Sequence, residues 1–263
     1  MSTPSFIECN GVAMRYLLSG DGPSTVVLIH ELGGSLNSWD DMVPLLPAGR
    51  RVLRYDMRGA GMSQKVSGTL DIDDLADDLE CLLEALGITP PATVVGAAVG
   101  AAVAVRFAAR HAALCDRAVL ISPALGVPPE RHAAALAIAD RLDAEGMQAV
   151  AGDVLPKALP EALWANGTDK SNCRARWLGA DPHGYAAAYR MLVHAVIRAD
   201  LAKIRCPVLT LAGRLDPFAT PELVREAVSA IEDGRFEIVE GGHFMSIQNP
   251  DRVAAAMASF LNN

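Results

Sequence analysis

The run TVVGAAVGAAVAV at residues 93–105 carries the most structural information in this chain. Thr93–Ala97 is β-branched and then small, the pattern of a strand buried on both faces. Val99–Arg110 is alanine-rich and reads as a helix. Between them, Gly96-Ala97-Ala98-Val99-Gly100 turns strand into helix almost at once. This is the G-x-S-x-G frame of a nucleophile elbow, with Ala98 where the frame carries serine. Glycines there let strand and helix approach, and the central residue is forced into strained backbone. A tight turn in any alanine-rich protein produces the same letters, so the frame has to be judged by its surroundings.

The surroundings alternate strand and helix. Thr25–His30 and Arg51–Tyr55 read as strands, and Asp71–Leu86 as an amphipathic helix ended by Gly87. Ala118–Ile121, Pro207–Ala212 and Phe236–Val239 continue the strands. Helices start at Thr220-Pro221 and at Asn249-Pro250. Phe6–Glu8 and Val12–Leu18 flank Asn10-Gly11, a hairpin signal. This order predicts an α/β fold: a mostly parallel sheet flanked by helices, with an antiparallel hairpin at one edge. The rhythm fails between Ala124 and Asp200, where short helices are punctuated by Pro156, Pro160, Gly167 and Gly179. Residues 1–123 and 201–263 are therefore expected to form one core domain, and 124–200 a helical cap inserted into it.

Composition narrows the function. The 263 residues are 51% hydrophobic, which is ample for a full core, and the net charge is −8. An acidic chain argues against nucleic-acid or anionic-membrane partners, and no run is long and apolar enough to span a bilayer. Met1–Asn10 shows no leader pattern. The five cysteines have no paired spacing, and a reduced cytoplasmic setting is the simplest expectation. No metal-ligand spacing is visible and the reading calls for no cofactor. The expected partner is a small-molecule substrate, with a homodimer left open.

Two later turns supply chemistry. Gly213-Arg214-Leu215-Asp216-Pro217 and Gly241-Gly242-His243-Phe244 each follow a strand. An acid and then a histidine, after the elbow, match a nucleophile-acid-base order. His243 would be the general base, with Asp216 fixing its tautomer. His30-Glu31-Leu32-Gly33-Gly34 follows an earlier strand, where an oxyanion loop belongs, and the backbone N–H groups of Leu32 and Val99 are the expected donors. The glycine-rich loop Tyr55–Ser63 reads as structural, with Asp56 and Arg58 pairing and capping.

On these residues the whole chain resembles the α/β-hydrolase fold superfamily. The segments Gly184–Leu201, Ile204–Pro207 and Gly213–Phe260 look like the 3-oxoadipate enol-lactonase branch. The resemblance implies hydrolysis of a small enol-lactone by a Ser-His-Asp triad beneath a helical cap. Asp216 and His243 match the triad; Ala98 departs from it, and so does Glu31, where many relatives carry glycine.

Alanine cannot attack a carbonyl, so the acyl-enzyme route is closed in this chain. Either Ala98 replaces a serine, and the chain is the inactive form of an ester, lactone or enol-lactone hydrolase, or alanine is native. In the second case His243 and Asp216 serve as a base for non-covalent hydrolysis, lyase or isomerase chemistry, or the fold serves as a receptor. Glu31 would then orient water or act as a base, unless it is a solvated loop residue or pairs with a cation. Between Lys157 and Asp200 six basic side chains face four acidic ones, Asp169 among the latter, a surplus suited to a carboxylate-bearing substrate. His30, Glu31, Trp39, Trp164, Trp177, Tyr185 and Arg190 complete the candidate pocket. The aromatic candidates serve equally well as packing, and Trp39 as a staple for its helix.

Overall fold

The computed structural model describes residues 3–164 and 170–262; Gly167 and Asp169 lie outside the described residues. Eight strands, β1 (Ser5–Cys9), β2 (Val12–Ser19), β3 (Ser24–Ile29), β4 (Arg50–Tyr55), β5 (Ala92–Ala97), β6 (Cys115–Ile121), β7 (Val208–Gly213) and β8 (Gly234–Val239), form one sheet. The order across it is β1-β2-β4-β3-β5-β6-β7-β8. β1–β2 and β2–β4 pair antiparallel, and the remaining pairs are parallel. Asn10 and Gly11 both have positive φ, at 51° and 72°, as a tight hairpin turn matched to the twist of its strands requires.

The central strands bury both faces. Val27, Ile29, Leu53 and Val94 pack with α1 (Ile72–Ala85) and α2 (Val99–Arg110). Val26, Leu28, Val52 and Val95 pack on the opposite face with Met257 and Phe260 of a C-terminal helix, Pro250–Asn262. Alternation with period two, applied to continuous apolar runs, is what produces two cores from one sheet. β6 begins three residues before the predicted start, because Cys115, Asp116 and Arg117 hide a strand end behind polar letters.

Between β6 and β7 the chain forms α3 (His132–Glu145), α4 (Gln148–Ala158), α5 (Lys170–Leu178), α6 (Pro182–His194) and α7 (Arg198–Leu201). After β7 come α8 (Pro221–Val228), α9 (Met245–Gln248) and α10, the C-terminal helix. A third apolar cluster gathers Leu142, Leu155, Trp177 and Tyr185 from this insertion with Ala98, Phe244 and Ile247 from the sheet side.

The predicted Asp56–Arg58 pairing is corrected. Arg58 grips the buried Asp78 of α1, Nε to Oδ2 at 2.6 Å and Nη2 to Oδ1 at 2.5 Å. Asp56 instead accepts from the backbone N–H of Leu36 at 2.6 Å and Met62 at 2.7 Å, with Arg15 at 3.4 Å. The two side chains part because α1 brings the buried carboxylate of Asp78 to Arg58, while Asp56 is taken up by the loop backbone.

Candidate active site

The sheet topology puts the chemistry-bearing loops at one end. Glu31 and Leu32 follow β3, Ala98 follows β5, Asp216 follows β7 and His243 follows β8, all beyond the carboxyl ends of parallel strands.

Ala98 has φ 50° and ψ −110°, a left-handed backbone that costs a non-glycine residue about 1–3 kcal/mol. The surroundings hold it there. Its N–H donates to the Ile121 carbonyl at 2.9 Å, and its own carbonyl accepts from Ala124 at 3.1 Å. The flanking glycines are sterically required. A Cβ on Gly96 would meet the Gly100 carbonyl oxygen at 2.1 Å, and one on Gly100 would meet that of Ile29 at 2.3 Å. Ser122, which follows the last residue of β6, is also left-handed (φ 45°), and its buried hydroxyl has no hydrogen-bond partner among the described residues.

His243 Nδ1 and Asp216 Oδ2 are 2.9 Å apart. The other Asp216 oxygen accepts from the N–H groups of Phe218 at 2.8 Å and Ala219 at 3.0 Å, so the buried carboxylate is fixed on both sides. In the tautomer that donates from Nδ1 to Asp216, Nε2 is the acceptor nitrogen. Among the described residues Nε2 has no hydrogen-bond partner. Phe218 and Phe244 pack on the ring at 5.1 and 5.0 Å between centroids. Sequence reading passed over both phenylalanines; each is a near neighbour in the chain of a triad residue, the one signal available.

Leu32 and Val99 line one small hollow of about 30 Å³ together with Tyr185, room for a water or a carbonyl oxygen. His30 borders it but is occupied. Its Nδ1–H donates to the Glu31 carbonyl at 2.7 Å and its Nε2 accepts from Met57 N–H at 3.1 Å, which makes it a brace for the loop. Burial, and then the neighbouring Tyr189, push the Tyr185 phenol above its ordinary range, so it stays protonated. A larger cavity of about 350 Å³ lies beside the hollow, bounded by Arg15, Ser38, Arg176, Trp177 and Phe244, and it shares Glu31, Gly33, Gly34 and Ala180 as walls with the smaller one. Neither is bounded by Ala98 or His243.

Several expectations change. Glu31 is no solvated residue and has no cationic partner among the described residues: it is 4% exposed and hydrogen-bonded to Ser38. Trp39 is fully buried on the far face of the sheet with Val26 and Met42, a staple and not a pocket wall. Arg190 binds Asp140 at 2.8 Å and Asp143 at 2.7 Å. These α3 acids precede the stretch whose charges suggested a surplus, so part of that surplus is neutralised at once. Trp164 is half-buried against the insertion's apolar cluster and borders neither cavity. Trp177 and Tyr185 do border them, edge to face at 5.6 Å. Arg176, which reading by composition did not single out, borders the larger cavity and donates to the Asn37 carbonyl at 2.8 Å.

One group of metal-ligating type, Asp77, Glu80 and His111, forms among the described residues although no sequence spacing announces it. Two acids one turn apart on α1 meet a histidine that follows α2. That ring already bridges both carboxylates, at 2.8 and 3.2 Å, and Arg110 shares Asp77.

A family model described as the alpha/beta hydrolase fold matches residues 24–160, just over half of the chain. The 3-oxoadipate enol-lactonase 1 of Acinetobacter baylyi is 26% identical over 90% of this chain and 88% of its own length. Among solved structures, a thermophilic esterase from Thermogutta terrifontis with malate bound superposes at a TM-score of 0.91, with 26% identity over 99% of this chain and 98% of that one. The enol-lactonase of Burkholderia xenovorans gives 0.88, with 29% identity over 98% and 100%. The chain belongs to the α/β-hydrolase fold family, and is a hydrolase of that family with alanine at the apex of its elbow.

Proposed function

We propose that this chain hydrolyses a small carboxylate-bearing ester, lactone or enol-lactone, with His243 as general base toward water. The observation that carries this reading is the intact dyad: Nδ1 held at 2.9 Å by a fully engaged Asp216, with Nε2 left to accept. Where alanine omits the hydroxyl, water supplies the attacking oxygen. Nε2 takes the water proton as oxygen bonds to the carbonyl carbon. The resulting oxyanion accepts from the N–H groups of Leu32 and Val99. As the tetrahedral centre collapses, the imidazolium returns that proton to the departing alkoxide or enolate. Arg176 supports the carboxylate assignment, because among the described residues it pairs with no acid and borders the larger cavity. The relatives agree in kind: two enol-lactonases, and an esterase holding malate.

The test is steady-state hydrolysis of enol-lactones and aryl esters by this protein and by His243→Ala. General-base catalysis contributes about 10²–10⁴-fold, so a loss of that size is expected, with no acylated protein by intact mass. Turnover indifferent to His243→Ala, or a trapped acyl adduct, refutes the mechanism.

One observation favours a second reading. Ala98 keeps a strained backbone whose use in such an elbow is to present a hydroxyl. Ala98 then stands in for serine, and the chain binds substrate without turning it over.

A further inference from the structure

The oxyanion loop contains a buried carboxylate that the proposed reaction does not use. Glu31 is 4% exposed. Its surroundings determine one oxygen completely. Ser38 Oγ accepts from the backbone N–H of Ser35 at 3.3 Å and donates its proton to Glu31 Oε1 at 2.7 Å. Gly34 makes room for the group, since a Cβ there would lie 2.1 Å from Oε1. The other oxygen, Oε2, is buried with no hydrogen-bond partner among the described residues. The nearby arginines do not serve it: Arg15 is directed to Asn37 and Asp56, and Arg176 to the Asn37 carbonyl.

A buried acceptor without a donor costs about 1–3 kcal/mol, more when it is charged, so a protein keeps one where something else completes it. Glu31 is a shared wall of both cavities, and it precedes Leu32, which also lines the small hollow. A substrate whose carbonyl oxygen enters that hollow brings its neighbouring atoms beside Glu31. We infer that Glu31 is a specificity-determining residue: Oε2 accepts a hydrogen bond from an O–H or N–H on a carbon close to the reacting carbonyl. The substrate is then a hydroxy- or amino-substituted ester or lactone, a narrower class than the proposed function names. This inference rests on that function for the position of the carbonyl.

The test is binding, so it needs no turnover. Affinities of this protein for α-hydroxy-γ-butyrolactone and for γ-butyrolactone are measured by titration calorimetry, then repeated with Glu31→Gln and Glu31→Met. A hydrogen bond to a charged acceptor corresponds to a preference of about 10- to 100-fold for the hydroxy-lactone. That preference should fall below about threefold in both variants, while Glu31→Met melts no lower than the parent, because it buries an apolar chain where a lone acceptor stood. Equal affinity of the parent for the two lactones overturns the role of Glu31 but leaves the acyl site standing. So does a preference that survives Glu31→Gln. If neither lactone binds, the acyl site itself is wrong and this inference falls with it. The comparison within the parent protein holds even if a variant fails to fold.

Discussion

Ala98→Ser tests the geometry of the whole site. The backbone at position 98 already has φ 50° and ψ −110°, so the substitution adds an oxygen without adding strain. The residue is 2% exposed, and a buried hydroxyl without a partner costs about 1–3 kcal/mol. That cost disappears if the hydroxyl donates to His243 Nε2, which has no other partner among the described residues. A melting temperature within a few degrees of the parent is therefore the first expected result. The second is catalytic. In a serine hydrolase, nucleophile and base work as a unit worth about 10⁶-fold over the residual contribution of the oxyanion hole and binding. Partial recovery of that unit, at least about 10³-fold in kcat/KM, corresponds to about 4 kcal/mol of transition-state stabilisation. Stopped-flow hydrolysis of p-nitrophenyl acetate should show a burst equal to the enzyme concentration, and intact mass should show the acetyl group. Ser122→Ala placed on Ala98→Ser should leave the burst unchanged, since Ser122 is fully buried. If Ala98→Ser folds normally but shows neither burst nor rate gain, the elbow apex and His243 do not form one site, and the reading of Ala98 as the nucleophile's seat is wrong.

Other outcomes follow from single contacts. Gly100→Ala drives a Cβ to 2.3 Å from the Ile29 carbonyl oxygen and 2.6 Å from that of His30; overpacking against backbone should cost about 3 kcal/mol, and calorimetry should show melting lowered by about 6–12 °C. Arg176→Ala should weaken carboxylate-bearing product analogues about tenfold or more while neutral analogues bind as before, measured by competition against an ester substrate. Cys115 and Cys206 lie with their sulfurs 3.8 Å apart. The hydrogen-bonded contact between the two thiols holds Cys206 below its ordinary value, while the same contact and then burial push Cys115 well above its own. A lowered value means more thiolate at a given pH. Iodoacetamide at pH 8 should therefore label Cys206 before Cys115, by peptide mapping, and Cys115→Ala should slow that labelling.

What could be read from sequence and what could not divide along a physical line. Periodicity and turn chemistry are local, so the strands, the elbow frame at residues 96–100 and the order of Ala98, Asp216 and His243 were legible in the letters alone. Element ends were weaker where polar residues continue a strand, as at Cys115–Arg117 of β6. The fate of a side chain between elements is not local. Whether Trp39 lines a pocket or closes a core depends on which sheet face its helix covers, and it covers the far one. Arg58 leaves Asp56 for Asp78, twenty residues away, because α1 brings a buried carboxylate to it. Arg190 is spent on α3 acids that no count over a neighbouring stretch includes. Glu31 shows the division most clearly. Its sequence marks it only as a departure inside a glycine-rich loop. Burial and the direction of the Ser38 hydroxyl belong to the folded chain, and they turn that departure into a buried carboxylate with one oxygen hydrogen-bonded and the other without a partner among the described residues.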